Sequence, residues 1–145
     1  MSTQKIFSSK PAQIAHAAIK LSTQIFGEDK KIKIALAQLN PLVGDVLGNM
    51  KKLITIRSKL DSDVDILVVP ELYISGYPID DLVLREDFLS LVESEIKKLV
   101  EITKDGKSAI IFGAPRKDKT VIKNSVYVIE DGRIVAIRDK YELPN

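Results

Sequence analysis

Two unbroken apolar runs, Ile66-Leu67-Val68-Val69 and Ala109-Ile110-Ile111-Phe112, constrain the fold of this chain more than any other feature. Four apolar residues in succession, with no polar alternation, are the pattern of a strand covered on both faces. Between the runs, Phe88, Leu89, Val92, Ile96, Leu99 and Val100 recur at helical spacing, and Gly106 stands where that helix should stop. Buried strand, amphipathic helix, buried strand is the signature of a parallel βαβ unit. The alternation continues on both sides. Ile32, Ile34 and Leu36 alternate with Lys31, Lys33 and Ala35, which predicts a strand that buries its Ile and Leu side chains. Asp45 is placed to cap a helix that carries Met50, Leu53, Ile54, Arg57 and Leu60 on one face, up to the turn at Asp61-Ser62-Asp63. Residues 125–129 and 133–137 flank Asp131-Gly132 and read as a hairpin. The prediction is an α/β fold with a mixed sheet, in which ligand chemistry is expected beyond the carboxyl ends of the strands.

Composition removes several classes of function. The 145 residues contain no cysteine, so disulfides, thiolate metal sites and a cysteine nucleophile are excluded within them. A single histidine, His16, leaves little for imidazole catalysis or zinc, and no metal or cofactor is expected. No apolar run reaches the roughly 18 residues of a membrane span, so no membrane partner is expected. Four of the 22 basic and two of the 20 acidic residues precede Lys31, leaving 18 of each sign in the rest. A neutral body without a Lys/Arg cluster does not suit nucleic acid, whose phosphates require grouped cations. A cytoplasmic location is the default expectation in the absence of a secretory signal.

Residues 1–30 stand apart as an extension of unassigned role. A helix is predicted from Pro11 to Phe26, with Ile14, Ala18, Leu21 and Ile25 on one face and His16 pointing away from it. The stretch before Glu28 has no acid and an amphipathic stripe, but also no arginine, so it matches a transit peptide only loosely.

Two residues follow predicted strands at places where chemistry is expected. Glu71 comes directly after Pro70, at the rim of a dry sheet, where desolvation should raise its pKa toward that of a general base. A capping or surface role is equally open from position alone. Lys140 follows the second hairpin strand in the same way, and alone reads as a solvated lysine.

Three segments together carry a family resemblance: Ala37-Gln38-Leu39-Asn40-Pro41-Leu42-Val43-Gly44-Asp45 with Gly48-Asn49; Pro70-Glu71-Leu72 with Gly76-Tyr77-Pro78 and Asp81-Leu82; and Lys140-Tyr141-Glu142-Leu143-Pro144-Asn145. Residues 31–145 resemble the first half of a nitrilase-superfamily (carbon–nitrogen hydrolase) domain, specifically the glutaminase domain of the glutamine-dependent NAD synthetases. The resemblance implies a four-layer α-β-β-α sandwich, of which these residues supply only part, leaving a sheet face and an edge uncovered. It also implies a Glu-Lys-Cys triad acting on the side-chain amide of glutamine. Glu71 would be the general base, Lys140 the oxyanion-stabilising cation, and Tyr77 a residue lining the glutamine pocket. The family's cysteine lies some tens of residues beyond the lysine, and the ATP-binding Ser-Gly-Gly-x-Asp-Ser loop of the complete enzymes has no counterpart here. The expectation is therefore an N-terminal fragment, inactive alone, whose partner would be the missing C-terminal half or another subunit. Half of another split amidase, or a non-catalytic α/β binding module sharing the fold, remain alternatives.

Overall fold

A computed structural model of the protein describes residues 31–141. The predicted helix from Pro11 to Phe26, with the whole 1–30 extension, and the Leu143-Pro144-Asn145 end of the last motif lie outside the described residues.

The two apolar runs become neighbouring strands. β1 (Ile34–Leu36), β2 (Ile66–Val68), β3 (Ala109–Asp118), β4 (Val121–Glu130) and β5 (Arg133–Asp139) form one sheet in chain order. The pairs β1/β2 and β2/β3 are parallel, and β3/β4 and β4/β5 are antiparallel. Each parallel step is bridged by a helix, α1 (Val46–Ser58) or α2 (Glu86–Ile102), as parallel pairing requires a long crossover. Asp45 caps α1 as expected, its carboxylate accepting the Gly48 N–H at 2.9 Å. The mixed α/β sheet of the sequence reading is the fold observed.

The core lies between the helices and one sheet face. Leu67, Ile110, Phe112, Ala114, Tyr127 and Ile129 from the strands meet Val46, Met50 and Leu53 of α1 and Phe88, Val92, Ile96 and Leu99 of α2. Arg57, on the apolar face of α1, is buried too. Its Nε donates to the Ser108 carbonyl at 2.9 Å and its two terminal nitrogens grip Asp105 at 2.8 and 3.0 Å. A guanidinium is tolerated there because its donors are satisfied.

Two expectations need correcting. In β1 the residues that reach the core are Ala35 and, just beyond, Ala37, whereas Ile34 is half-buried and Leu36 is 62% exposed. Alternation shows that two faces differ, but not which one the crossover helices cover. Pairing places Ile34 and Leu36 with Ile66, Val68 and Val128 on the other face, which no described helix covers. β3 also extends six residues past Phe112, through Pro115. β2 accompanies it only to Ile111 and the following loop adds one bond at Gly113, so at Pro115 β3 is a local edge, where a residue without an N–H is tolerated.

Tyr127 stacks on Phe112 with centroids 5.2 Å apart, and burial pushes its hydroxyl up to about 12. The unfolded tyrosine loses its proton near pH 10, so between about pH 10 and 12 the folded state binds more protons and stability falls as pH rises. Urea midpoints at pH 9 and pH 11.5 should show an alkaline loss of about 2 kcal/mol that Tyr127→Phe lacks. Equal losses in both proteins would overturn the assignment.

Candidate active site

Topology brings the two candidate residues to one end of the sheet. β2 and β5 both run parallel to β3, so Glu71, just past β2, and Lys140, just past β5, leave the sheet at the same edge. β4 runs the other way, and its early residue Asn124 starts there. The three side chains meet. Glu71 Oε1 accepts from Lys140 Nζ at 2.8 Å and from Asn124 Nδ2 at 2.7 Å.

The loop carrying Glu71 is held from two sides. Gly113 in β3 lies directly beneath it, and a Cβ there would stand 2.3 Å from the Leu72 nitrogen, so only glycine allows this approach. Val69 N–H donates to the Ile111 carbonyl, and Ile74 N–H to the Gly113 carbonyl, continuing the ladder where β2 ends. From the other side, buried Asn49 of α1 receives the Leu42 N–H at 2.9 Å and donates to the carbonyls of Leu42 at 2.8 Å and Ile74 at 3.2 Å. Gly76, at φ +77°, closes the same contact: a Cβ would lie 2.6 Å from the Val43 Cα. The Gly44-Asp45, Gly48-Asn49 and Gly76 elements of the sequence motifs thus form one clasp between two loops.

The expected rise in the Glu71 pKa is overturned. Its side chain is 45% exposed, and the hydrogen bond from Lys140 holds the carboxyl below the ordinary glutamate value; burial opposes this, and Asn124 adds to the lowering. Partial burial is too weak to outweigh an ammonium at hydrogen-bond distance. Tyr77 is 65% exposed, and among the described residues no hydrogen bond joins it to Glu71 or Lys140. A shallow hollow of about 410 Å³ lined by Val43, residues 78–82 and Arg85 lies next to it in sequence, but none of the three candidate residues lines it. Among the described residues no group of three or more His, Cys, Asp or Glu is arranged to hold a metal, and no helix is long and apolar enough to cross a membrane.

Sequence reading missed Asn124. Pairing along the hairpin from Asp131-Gly132 reaches it only if the bulge between Val128 and Ile129 is known, because the extra residue, Val135, changes the partner of position 124 from 139 to 140.

A model of the carbon–nitrogen hydrolase family matches residues 33–145. The chain belongs to the carbon–nitrogen hydrolase family. The glutamine-dependent NAD(+) synthetase of Thermotoga maritima is 38% identical over 117 residues, which are 80% of this chain and 20% of that protein. The enzyme of the same name from Xanthomonas campestris is 37% identical over 116 residues, 79% of this chain and 21% of the relative. Among solved structures, the glutamine-dependent NAD(+) synthetase of Cytophaga hutchinsonii superposes with a TM-score of 0.72 at 25% identity, over 80% of this chain and 20% of that one. An amidase from Nesterenkonia, at 18% identity and a TM-score of 0.66 over 79% of this chain and 44% of its own, shares the fold. The chain spans about a fifth of the length of the synthetases it matches. The nitrilase-like resemblance read from the three motifs therefore holds.

Proposed function

We propose that residues 31–145 form part of a glutaminase domain of the kind that supplies ammonia to a glutamine-dependent NAD synthetase. The observation that carries this reading is the Glu71–Lys140 pair, 2.8 Å apart at the strand ends of a carbon–nitrogen hydrolase sheet. The names of its relatives support glutamine as the substrate. In this reading Glu71 is the general base and Lys140 the cation, and the nucleophile is a thiol from residues outside these 145, in a C-terminal portion or another subunit. Tyr77 would line the glutamine pocket once that part is in place.

The chemistry follows from the pair. The thiol S–H breaks and its proton passes to Glu71 as sulfur attacks the amide carbon. The carbonyl π electrons move onto oxygen, where the Lys140 ammonium meets the new charge. The proton on Glu71 then goes to the departing nitrogen as the C–N bond breaks, releasing ammonia. Water, activated by Glu71, cleaves the thioester to glutamate and restores the thiol. A thiol at pKa about 8.5 and a glutamate at about 4.3 differ by roughly 6 kcal/mol. Lys140 lowers the glutamate, but it offsets this by stabilising thiolate and oxyanion, the latter typically by about 3–4 kcal/mol per donor.

Two measurements test the reading. The 145-residue polypeptide should release no ammonia from glutamine above a Glu71→Ala control; turnover above that control would overturn the assignment of the nucleophile. A chimera with residues 33–145 in place of the matching stretch of the Thermotoga maritima relative should hydrolyse glutamine. A folded chimera that releases none, beside an active parent, would sink the proposed function.

A further inference from the structure

We propose that Asn124 is a positioning residue for Glu71, and that together with Lys140 it reserves Oε2 as the oxygen that takes the proton. The proposal deepens the amide-hydrolysis reading and rests on it only for the source of that proton. Both described donors, Lys140 Nζ at 2.8 Å and Asn124 Nδ2 at 2.7 Å, converge on Oε1. Among the described residues, Oε2 accepts no hydrogen bond. A carboxylate can only accept, so the amide must present its nitrogen and not its oxygen. Two donors on one oxygen fix the rotation of the carboxylate plane and leave the second oxygen's lone pairs facing away from them.

The arrangement also suits the protonated state. When Oε2 carries the proton, Oε1 is the carbonyl oxygen of the acid, which still accepts from both donors. Neither donor has to move during transfer. A neutral amide provides this grip with less effect on basicity than a second ammonium at position 124, which would press the carboxyl pKa further down.

The backbone shows how the two donors are kept side by side. Lys140 N–H donates to the Asn124 carbonyl at 2.8 Å, so they are cross-strand neighbours. The Val135 bulge sets this pairing: before it Ile129 faces Ile134, after it Ser125 faces Asp139. Asp139, whose side chain points to the opposite face from Lys140, is fixed by Ser125 Oγ at 2.7 Å and by Arg116 at 2.9 and 3.0 Å. With Asp139 held on one face, Lys140 and Asn124 are both presented to Glu71 on the other. Lys140 is the charged group that meets Glu71 among the described residues; Arg116 and Asp139 pair with each other across the sheet.

Two experiments decide it. In the 145-residue polypeptide, the side-chain amide signals of Asn124 should titrate with the Glu71 carboxyl carbon signal, and this response should vanish in Glu71→Gln. A purely structural Asn124 would not report that ionisation, and an amide signal flat across the Glu71 titration would overturn the proposal. In the chimera, Asn124→Ala should lower kcat for ammonia release about tenfold or more, with KM for glutamine little changed, and Asn124→Gln should not restore it, because the longer side chain misplaces the nitrogen. An unchanged kcat in Asn124→Ala would also overturn it. An inactive parent chimera would count against the proposed function alone, since the amide titration needs no turnover.

Discussion

Asn49→Leu should cost about 2–4 kcal/mol of stability, read as a drop in urea midpoint with little change in slope. Leucine matches the volume, so the loss isolates the hydrogen bonds. Asn49 is 2% exposed and serves the Leu42 N–H and the carbonyls of Leu42 and Ile74. Leaving one buried polar group without a partner costs roughly 1–3 kcal/mol, and two lose their partner here, the Leu42 N–H and the Ile74 carbonyl, whereas the Leu42 carbonyl keeps the Asp45 N–H; exposure of Leu42 relieves part of the cost. Against a total of about 5–15 kcal/mol this is a large share. The damage should also spread to the site. With the clasp gone, the loop that carries Glu71 keeps only its β3 side, and amide exchange at Gly44, whose N–H donates to the Ser75 carbonyl, should speed up. Asn49→Asp keeps the acceptor but turns a buried carboxylate toward the Leu42 and Ile74 carbonyl oxygens, so it should cost at least as much. A loss under about 1 kcal/mol in Asn49→Leu would show that the loops hold each other without it.

That clasp shows how much a single sequence conveys. The apolar runs, the helical stripes and Asp131-Gly132 each state a local preference that the tertiary fold keeps, so β2, β3, both helices and the last hairpin were legible. The β3/β4 hairpin was not, because Lys119 adopts φ +55° without glycine to announce it. The buried face of β1 was misread for a different reason. Ala35 and Ala37 are small enough to lie under the helices, while Ile34 and Leu36 turn to a face whose cover is not among the described residues, and hydrophobicity alone favours the larger side chains.

The positions of the two candidate residues were legible, and their electrostatics were not. Glu71 and Lys140 could be placed at strand ends, and the structure joins them. The sign of the Glu71 shift depends on a distance across 69 positions of sequence, which no local pattern encodes. Burial was the visible half of the problem. The ammonium and the amide that outweigh it come from β5 and β4, through a bulge whose extra residue looks like any other valine.

Glu71→Gln in the glutamine-hydrolysing chimera should lower kcat by about 10²–10⁴, the usual contribution of a general base. The substitution keeps an oxygen that accepts from Lys140 and Asn124, so the fold should hardly notice. An exposed ion pair is worth about 0–1 kcal/mol in any case. The pH dependence has a definite sign. A carboxyl lowered in the folded state stabilises that state above its unfolded pKa, and this contribution is lost as pH falls through the folded value. The base form of Glu71 should therefore persist below the ordinary glutamate range, chiefly because of the Lys140 hydrogen bond. Lys140→Met removes that cause and leaves burial, which raises the pKa, opposed only by Asn124. The Glu71 carboxyl signal followed by carbon NMR should then titrate at higher pH than in the parent chain. A midpoint that stays put or moves down in Lys140→Met would mean that the pair does not form in solution, and the base would have to be sought elsewhere on the sheet edge.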